Sequence, residues 1–168
     1  MREIPLTRGY VAFVDGADYA RVMAAGPWQA VIKKSTGMVY ALRTVPKPDG
    51  RPTTQRLHRF ILGITDPKVQ VDHRNRYGLD CQRGNLRIAT QAQNSANRNK
   101  QRGTSSKYKG VHWNKRQQQW TAYLYVNRKK IYLGVFGDEI SAARAYDAFA
   151  RKYFGEFAKF NLGQKKKG

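Results

Sequence analysis

One cysteine, Cys81, stands in 168 residues. A lone thiol closes no internal disulfide and supplies no cysteine-rich zinc site. Acidic side chains are scarce too: 11 Asp and Glu face 32 Lys and Arg, a formal net charge of +21. No apolar run approaches the ~20 residues that span a bilayer. The first nine residues lack the apolar stretch of a secretory signal. There is no internal repeat, and no basic amphipathic helix with a large apolar face suited to an acidic membrane surface. These absences exclude a disulfide scaffold and a membrane span. They lead us to expect a soluble, intracellular protein with no membrane partner.

What is present is a foldable, strongly cationic chain. Hydrophobic residues make up 40% and aromatics 12%, enough for a packed core. Self-repulsion at +21 opposes compaction, so a polyanionic partner is expected. The excess is spread out. Residues 1–90 carry 15 basic and 7 acidic side chains, and residues 91–168 carry 17 and 4. A basic RNA-associated protein, such as a ribosomal component, is the plainest reading of charge alone.

Residues 1–63 form a β-rich region in which Tyr10–Val14 and Met38–Thr44 read as strands. Asp15–Ala25 reads as a short helix, and Thr54–Leu62 as a strand or a strand running into a helix. Residues 64–98 follow the order strand, loop, strand, helix. Val69–His73 and Leu86–Ala89 are the strands, and Thr90 with Gln93 forms a capping box at the helix start. Residues 99–107 are a polar, basic linker. Residues 108–161 hold three strands, Tyr108–Trp113, Trp120–Val126 and Lys130–Phe136. A helix follows from the N-cap Asp138, with apolar residues at helical spacing and a stop at Gly155. Residues 162–168 are a basic tail. The class is α+β.

The constellation that carries chemistry is Asp72–His73, then Asn85, then Asn94. Asp72 offers hard oxygens suited to a cation such as Mg²⁺. A neutral imidazole near its ordinary pKa of ~6.5 accepts a proton from water at neutral pH. Adjacent strand residues point to opposite faces, so the strand must end or twist where Asp72 meets His73. His58 is read as a structural or phosphate-contacting histidine, and Cys81 as chemically silent.

The stretch Val71-Asp72-His73 … Gly84-Asn85-Leu86-Arg87-Ile88-Ala89-Thr90 … Gln93-Asn94 resembles the HNH endonucleases of phage and mobile-intron type. The resemblance implies a ββα-metal module. It makes His73 the general base, Asp72 and Asn94 the metal ligands, and Asn85 the residue that hydrogen-bonds and orients His73. Asn97 is the alternative helix ligand. The implied cofactor is a divalent ion, Mg²⁺ with Mn²⁺ as the alternative, and no small-molecule cofactor is expected. The implied reaction is phosphodiester hydrolysis leaving 5′-phosphate and 3′-hydroxyl ends.

Tyr108-Lys109-Gly110-Val111, Trp120, Tyr132-Leu133-Gly134-Val135-Phe136 and Ala142-Ala143-Arg144-Ala145-Tyr146-Asp147 are similar to the plant-type apetala-2/ERF domain. That resemblance implies a three-stranded antiparallel sheet laid in the DNA major groove, with a helix packed behind it. Lys109, His112, Trp113, Asn114, Arg116, Tyr123, Tyr125, Lys130 and Tyr132 are expected on the DNA side, and Tyr146 at a backbone-contacting helix position. The family's base-reading arginines are mostly replaced here by Lys109, His112, Tyr125 and Lys130. Backbone contacts are therefore expected to outweigh the family's GC-rich readout.

Together the two resemblances point to a bacteriophage-type, metal-dependent DNA endonuclease acting on double-stranded DNA. It would work in the bacterial host cytoplasm if phage-encoded, as a monomer or a dimer. The alternative is a non-catalytic, sequence-specific DNA-binding regulator that keeps the nuclease unit as a relic.

Overall fold

Short apolar runs punctuated by Gly, Pro and Asp can build only short ladders, and every ladder between named strands of this chain is antiparallel. The computed structural model describes residues 1–100, 103–127 and 129–163. The basic run 164–168 and two residues of the expected linker, 101 and 102, lie outside the described residues. The chain divides into two compact units, Met1–Ala89 and Thr90–Gly168. The division falls inside the strand–loop–strand–helix segment 64–98, between its second strand and its helix. Among the described residues no helix is long and apolar enough to cross a membrane.

In the first unit, β1 (Arg2–Pro5) pairs with β2 (Val11–Val14), and α1 (Gly16–Ala25) follows with Asp15 at its N-cap. A three-stranded sheet, β3 (Gln29–Ile32), β4 (Val39–Pro46) and β5 (Pro52–Arg56), runs straight into α2 (Leu57–Leu62). The expected strand running into a helix is thus found. β1 and β3 were not expected. β6 (Gln70–His73) and β7 (Leu86–Ala89) form a two-stranded hairpin.

A two-stranded ribbon is marginal alone. Here the loop between its strands enters the core. Leu79 and Cys81 are buried with Ile4, Val14, Val22, Leu57 and Ile61. Phe13 N–H donates to Leu79 O, and Cys81 N–H to Phe13 O, each at 2.8 Å. Burial pushes the Cys81 thiol up to about 12, so it is a packing residue.

The second unit begins with α3 (Gln91–Asn97), whose capping box is as expected: Thr90 Oγ1 accepts from Gln93 N–H and Gln93 Oε1 from Thr90 N–H. The sheet β8 (Val111–Asn114), β9 (Gln119–Val126) and β10 (Lys129–Phe136) carries α4 (Glu139–Phe154) on one face. Asp138 caps α4, accepting from Ser141 N–H at 2.8 Å. Ala96 of α3 is buried in one cluster with Leu124, Tyr146, Ala150 and Phe154, so α3 packs as part of this unit. The Lys109 ammonium donates to the carbonyls of Ser95, Ala96 and Arg98, where it complements the negative end of α3. Asn161 clips the chain ends together, accepting from Lys109 N–H at 2.6 Å and donating to Lys109 O at 3.0 Å.

Residues 108–110, expected as strand, form the turn into β8. Gly110 has φ +72°, and a Cβ there would sit 2.2 Å from the Tyr146 ring and 2.5 Å from Tyr123 O. Gly110→Ala is therefore expected to destabilise the second unit by about 2–4 kcal/mol, from left-handed strain plus overpacking. Chemical denaturation followed by tryptophan fluorescence checks this.

Candidate functional site

Pairing in the β6–β7 hairpin sets Asp72 opposite Arg87 and His73 opposite Leu86. Side chains directly across an antiparallel pair share a face, and Arg87 uses this placement. It donates through Nε (2.9 Å) and Nη2 (2.7 Å) to Oδ2 of Asp72. Both side chains are buried, at 7% and 6% exposure. One carboxylate oxygen thus takes both bonds, which orients the group rigidly.

His73 meets different neighbours. Its ring centroid lies 5.0 Å from His58, edge to face at 89°, and 6.0 Å from Tyr40. Both histidines are buried. Burial pulls His73 down to about 4, with the Asp72 and Asp80 carboxylates pulling the other way. Burial lowers His58 to about 3, helped by His73, Arg56 and Arg59. Both rings are neutral at neutral pH, and His73 is thereby a proton acceptor.

Asn85 does not act on the His73 ring as expected. Its amide donates to Asn75 Oδ1 at 3.0 Å and to Asp80 O at 2.8 Å, and its Oδ1 accepts from Asn75 N–H at 3.0 Å. Asn75 in turn donates to Asp80 Oδ2. The side chain holds the hairpin loop in shape through Asn75 and Asp80.

The far end of the loop is fastened to α1. Arg83 N–H donates to Asp15 Oδ2 at 2.7 Å, and its guanidinium binds the buried Asp18. The hydrogen bond from Arg83, assisted by Arg21, holds the Asp18 carboxyl below the usual carboxylate range against the pull of burial. Gly78 is required by close approach: a Cβ there would lie 2.4 Å from Val39 O and 2.9 Å from the Tyr40 ring.

Asn94, half-buried, and Asn97, buried, stand on α3 in the second unit. Among the described residues no group of three His, Cys, Asp or Glu is placed to hold a metal ion. The expected ligand set, one carboxylate and one amide, is a pair of hard oxygens that such a cluster would not include.

In the second unit, strand register sorts the expected DNA-side residues. Tyr125 pairs with Lys130, Tyr123 with Tyr132, and His112 with Thr121. These share the face away from α4. His112 and Tyr123 rings meet at 4.9 Å, Tyr123 and Tyr125 at 5.6 Å, and the Lys130 ammonium lies 4.1 Å over the Tyr123 ring. Tyr125 and Tyr132 are the open part, 56% and 60% exposed. His112 Nε2 lies 2.8 Å from the Thr121 hydroxyl. Its pKa is lowered by burial and then by Lys130.

Five expected residues lie outside this cluster of rings. Trp113 pairs with Trp120, their rings 5.1 Å apart, one position out of phase with His112 and so on the opposite face. Lys109 is engaged at the end of α3. Asn114 and Arg116 lie at the exposed β8–β9 turn, where Asn114 Oδ1 accepts from Arg116 N–H and Gln117 N–H. Tyr146 is buried against Gly110, and burial raises its hydroxyl pKa.

Sequence reasoning missed Arg87, Tyr40 and the packing of His58. Arg87 was legible in principle, since pairing β6 with β7 about the loop aligns it with Asp72. Tyr40 carries no local signal.

Residues 106–156 match the AP2 domain family, and this segment is an AP2 domain. An AP2/ERF and B3 domain-containing protein of Oryza sativa subsp. japonica is 44% identical over 58 residues, 34% of this chain and 16% of that protein. APETALA2-like protein 2 of Oryza sativa subsp. indica is 39% identical over 61 residues, 36% of this chain and 14% of that protein. A protein of Acanthamoeba polyphaga mimivirus, described as an uncharacterized HNH endonuclease, is 34% identical over 108 residues, 61% of this chain and 55% of that protein. A stretch covering 61% of 168 residues includes residues 70–99 wherever it begins. The chain thus spans about half of the viral protein and a small part of each plant protein.

The buried histidines generate a stability signature. Their folded pKa values, about 3 and about 4, lie below the ordinary value of 6.5 in the unfolded chain. Protonation therefore favours unfolding: the contribution is complete above about pH 6.5 and drains as pH falls toward the folded values. Urea midpoints of the first unit are expected to drop across that window, by up to about 1.4 kcal/mol per pH unit per histidine. His58→Phe is expected to flatten the slope.

Proposed function

We propose that the chain is a metal-dependent DNA endonuclease of HNH type whose AP2 domain holds the duplex. The observation that carries this reading is the buried, neutral His73 beside Asp72 at the end of β6, in a stretch common to this chain and the viral HNH endonuclease. Hydrolysis of a phosphodiester needs a proton acceptor for the attacking water and compensation for charge developing on the phosphoryl oxygens.

His73 accepts the water proton. Asp72 offers a carboxylate oxygen, a hard donor that suits Mg²⁺ or Mn²⁺. Both bonds from Arg87 fall on Oδ2, and they aim the Asp72 carboxylate in the manner of the partners that orient metal-binding carboxylates elsewhere. A bound divalent cation would supply electrostatic stabilisation of the phosphoryl oxygens and of the leaving alkoxide. Asn85 keeps the loop behind His73 in place.

The AP2 sheet face of His112, Tyr123, Tyr125, Lys130 and Tyr132 presents aromatic rings and a cation to the duplex. With the family's base-reading arginines mostly replaced, phosphate contact is the larger share of its affinity.

A second reading, a DNA-binding regulator that does not cut, draws on the Asp72–Arg87 pair, since a carboxylate already neutralised by arginine attracts a cation less. Plasmid nicking separates the two. With Mg²⁺ or Mn²⁺, wild type is expected to relax supercoiled DNA, and His73→Ala to be slower by about 10²–10⁴-fold at unchanged duplex affinity. Duplex binding without nicking by the wild type would leave the regulator. Lys130→Ala is expected to weaken binding across unrelated sequences and to reduce the log–log salt slope by about one. Titrations between low and physiological salt read this.

A further inference from the structure

Two rings that the reaction above does not use are packed against His73. His58, the second residue of α2, is 4% exposed, and its ring meets that of His73 at 5.0 Å and 89°. Tyr40 of β4 lies 6.0 Å from the His73 ring and 6.2 Å from that of His58, at 57° and 69°. The three rings therefore touch pairwise. Each is anchored independently. His58 is carried by α2, whose Leu57 and Ile61 are buried in the core. Tyr40 is fixed by its pairing with Val31, and its ring lies where a Cβ on Gly78 would otherwise stand. The Arg56 guanidinium closes over Tyr40 at 5.9 Å.

A histidine ring torsion is intrinsically broad. A proton acceptor, by contrast, must keep one ring nitrogen on the water it deprotonates. The side chain expected to orient His73, Asn85, spends its hydrogen bonds on Asn75 and Asp80. We propose that His58 and Tyr40 are positioning residues, which clamp the plane of the His73 imidazole, His58 by edge-to-face packing and Tyr40 by a tilted ring contact. Ring–ring contacts of this kind have a preferred geometry that aliphatic packing lacks. The inference rests on the endonuclease reading for its catalytic consequence, but its structural content stands apart from it.

The test uses the full chain with His58→Ala, His58→Phe and Tyr40→Leu. The first readout is the imidazole C–H spectrum of ring-labelled protein, with the His73 signals assigned by His73→Ala. His58→Ala and Tyr40→Leu are expected to shift and broaden the His73 signals, and His58→Phe to keep them sharp. The second readout is plasmid nicking. His58→Ala is expected to lower kcat by about 10–100-fold at unchanged KM, the scale of a small misplacement of a reacting group. His58→Phe is expected to recover most of that loss. Should His58→Ala fail to fold, Tyr40→Leu and His58→Phe carry both readouts. Unchanged His73 signals in a folded variant would overturn the clamp, whatever the activity. So would a loss of kcat that the phenylalanine leaves unrecovered. Sharp-to-broad changes with no nicking by the wild type would keep the clamp and sink the endonuclease reading instead.

Discussion

Everything proposed for the first unit depends on how its hairpin is fastened. Two strands of four residues cannot bury a carboxylate and an imidazole by themselves. The β6–β7 pair manages it because its loop is not a surface loop. Leu79 and Cys81 sit in the core, Phe13 bonds the loop on both sides, and Arg83 ties its far end to Asp15 and Asp18. Asn85 with Asn75 and Asp80 stiffens what lies between. With the loop held, the Asp72–Arg87 pair has a defined geometry. A buried ion pair needs that, since its attraction repays desolvation only when the contact is good.

The same rigidity explains the division of labour around His73. Hydrogen-bonding groups near the hairpin are largely committed to holding backbone, Asn85 most of all. The His73 ring is met by the rings of His58 and Tyr40. Burial that keeps His73 and His58 neutral costs the fold stability in acid, but it leaves a proton acceptor at neutral pH.

The second unit treats its charge differently. The outward face of β8–β10 sets aromatic rings beside Lys130. Small residues meet across the sheet–helix seam, Ala122 of β9 with Ala142 and Ala143 of α4, which lets α4 lie close to the sheet. Gly110 belongs to the same design, since the Tyr146 ring occupies the space any side chain there would need. Lys109 is expected on the DNA side of the sheet by resemblance to the family. Its ammonium instead serves three carbonyls at the end of α3, a partner fourteen residues away that local pattern does not reveal.

The sequence by itself determined the α+β class, the capping box at Thr90, the strand-to-helix run at β5–α2, the AP2 segment and the pairing of Asp72–His73 with a following strand. The AP2 segment was legible from its resemblance to that family; the others are local and follow from alternation, caps and spacing within a dozen residues. Tertiary structure alone decided that Arg87 claims Asp72, that Asn85 braces the loop, that Trp113 lies on the helix-side face and that Tyr40 and His58 enclose His73. Those contacts join residues up to some thirty positions apart, through registers and ring packing that only the folded core sets. A single-residue change of phase or a distant aromatic leaves no mark on the periodicities from which the chain was first read.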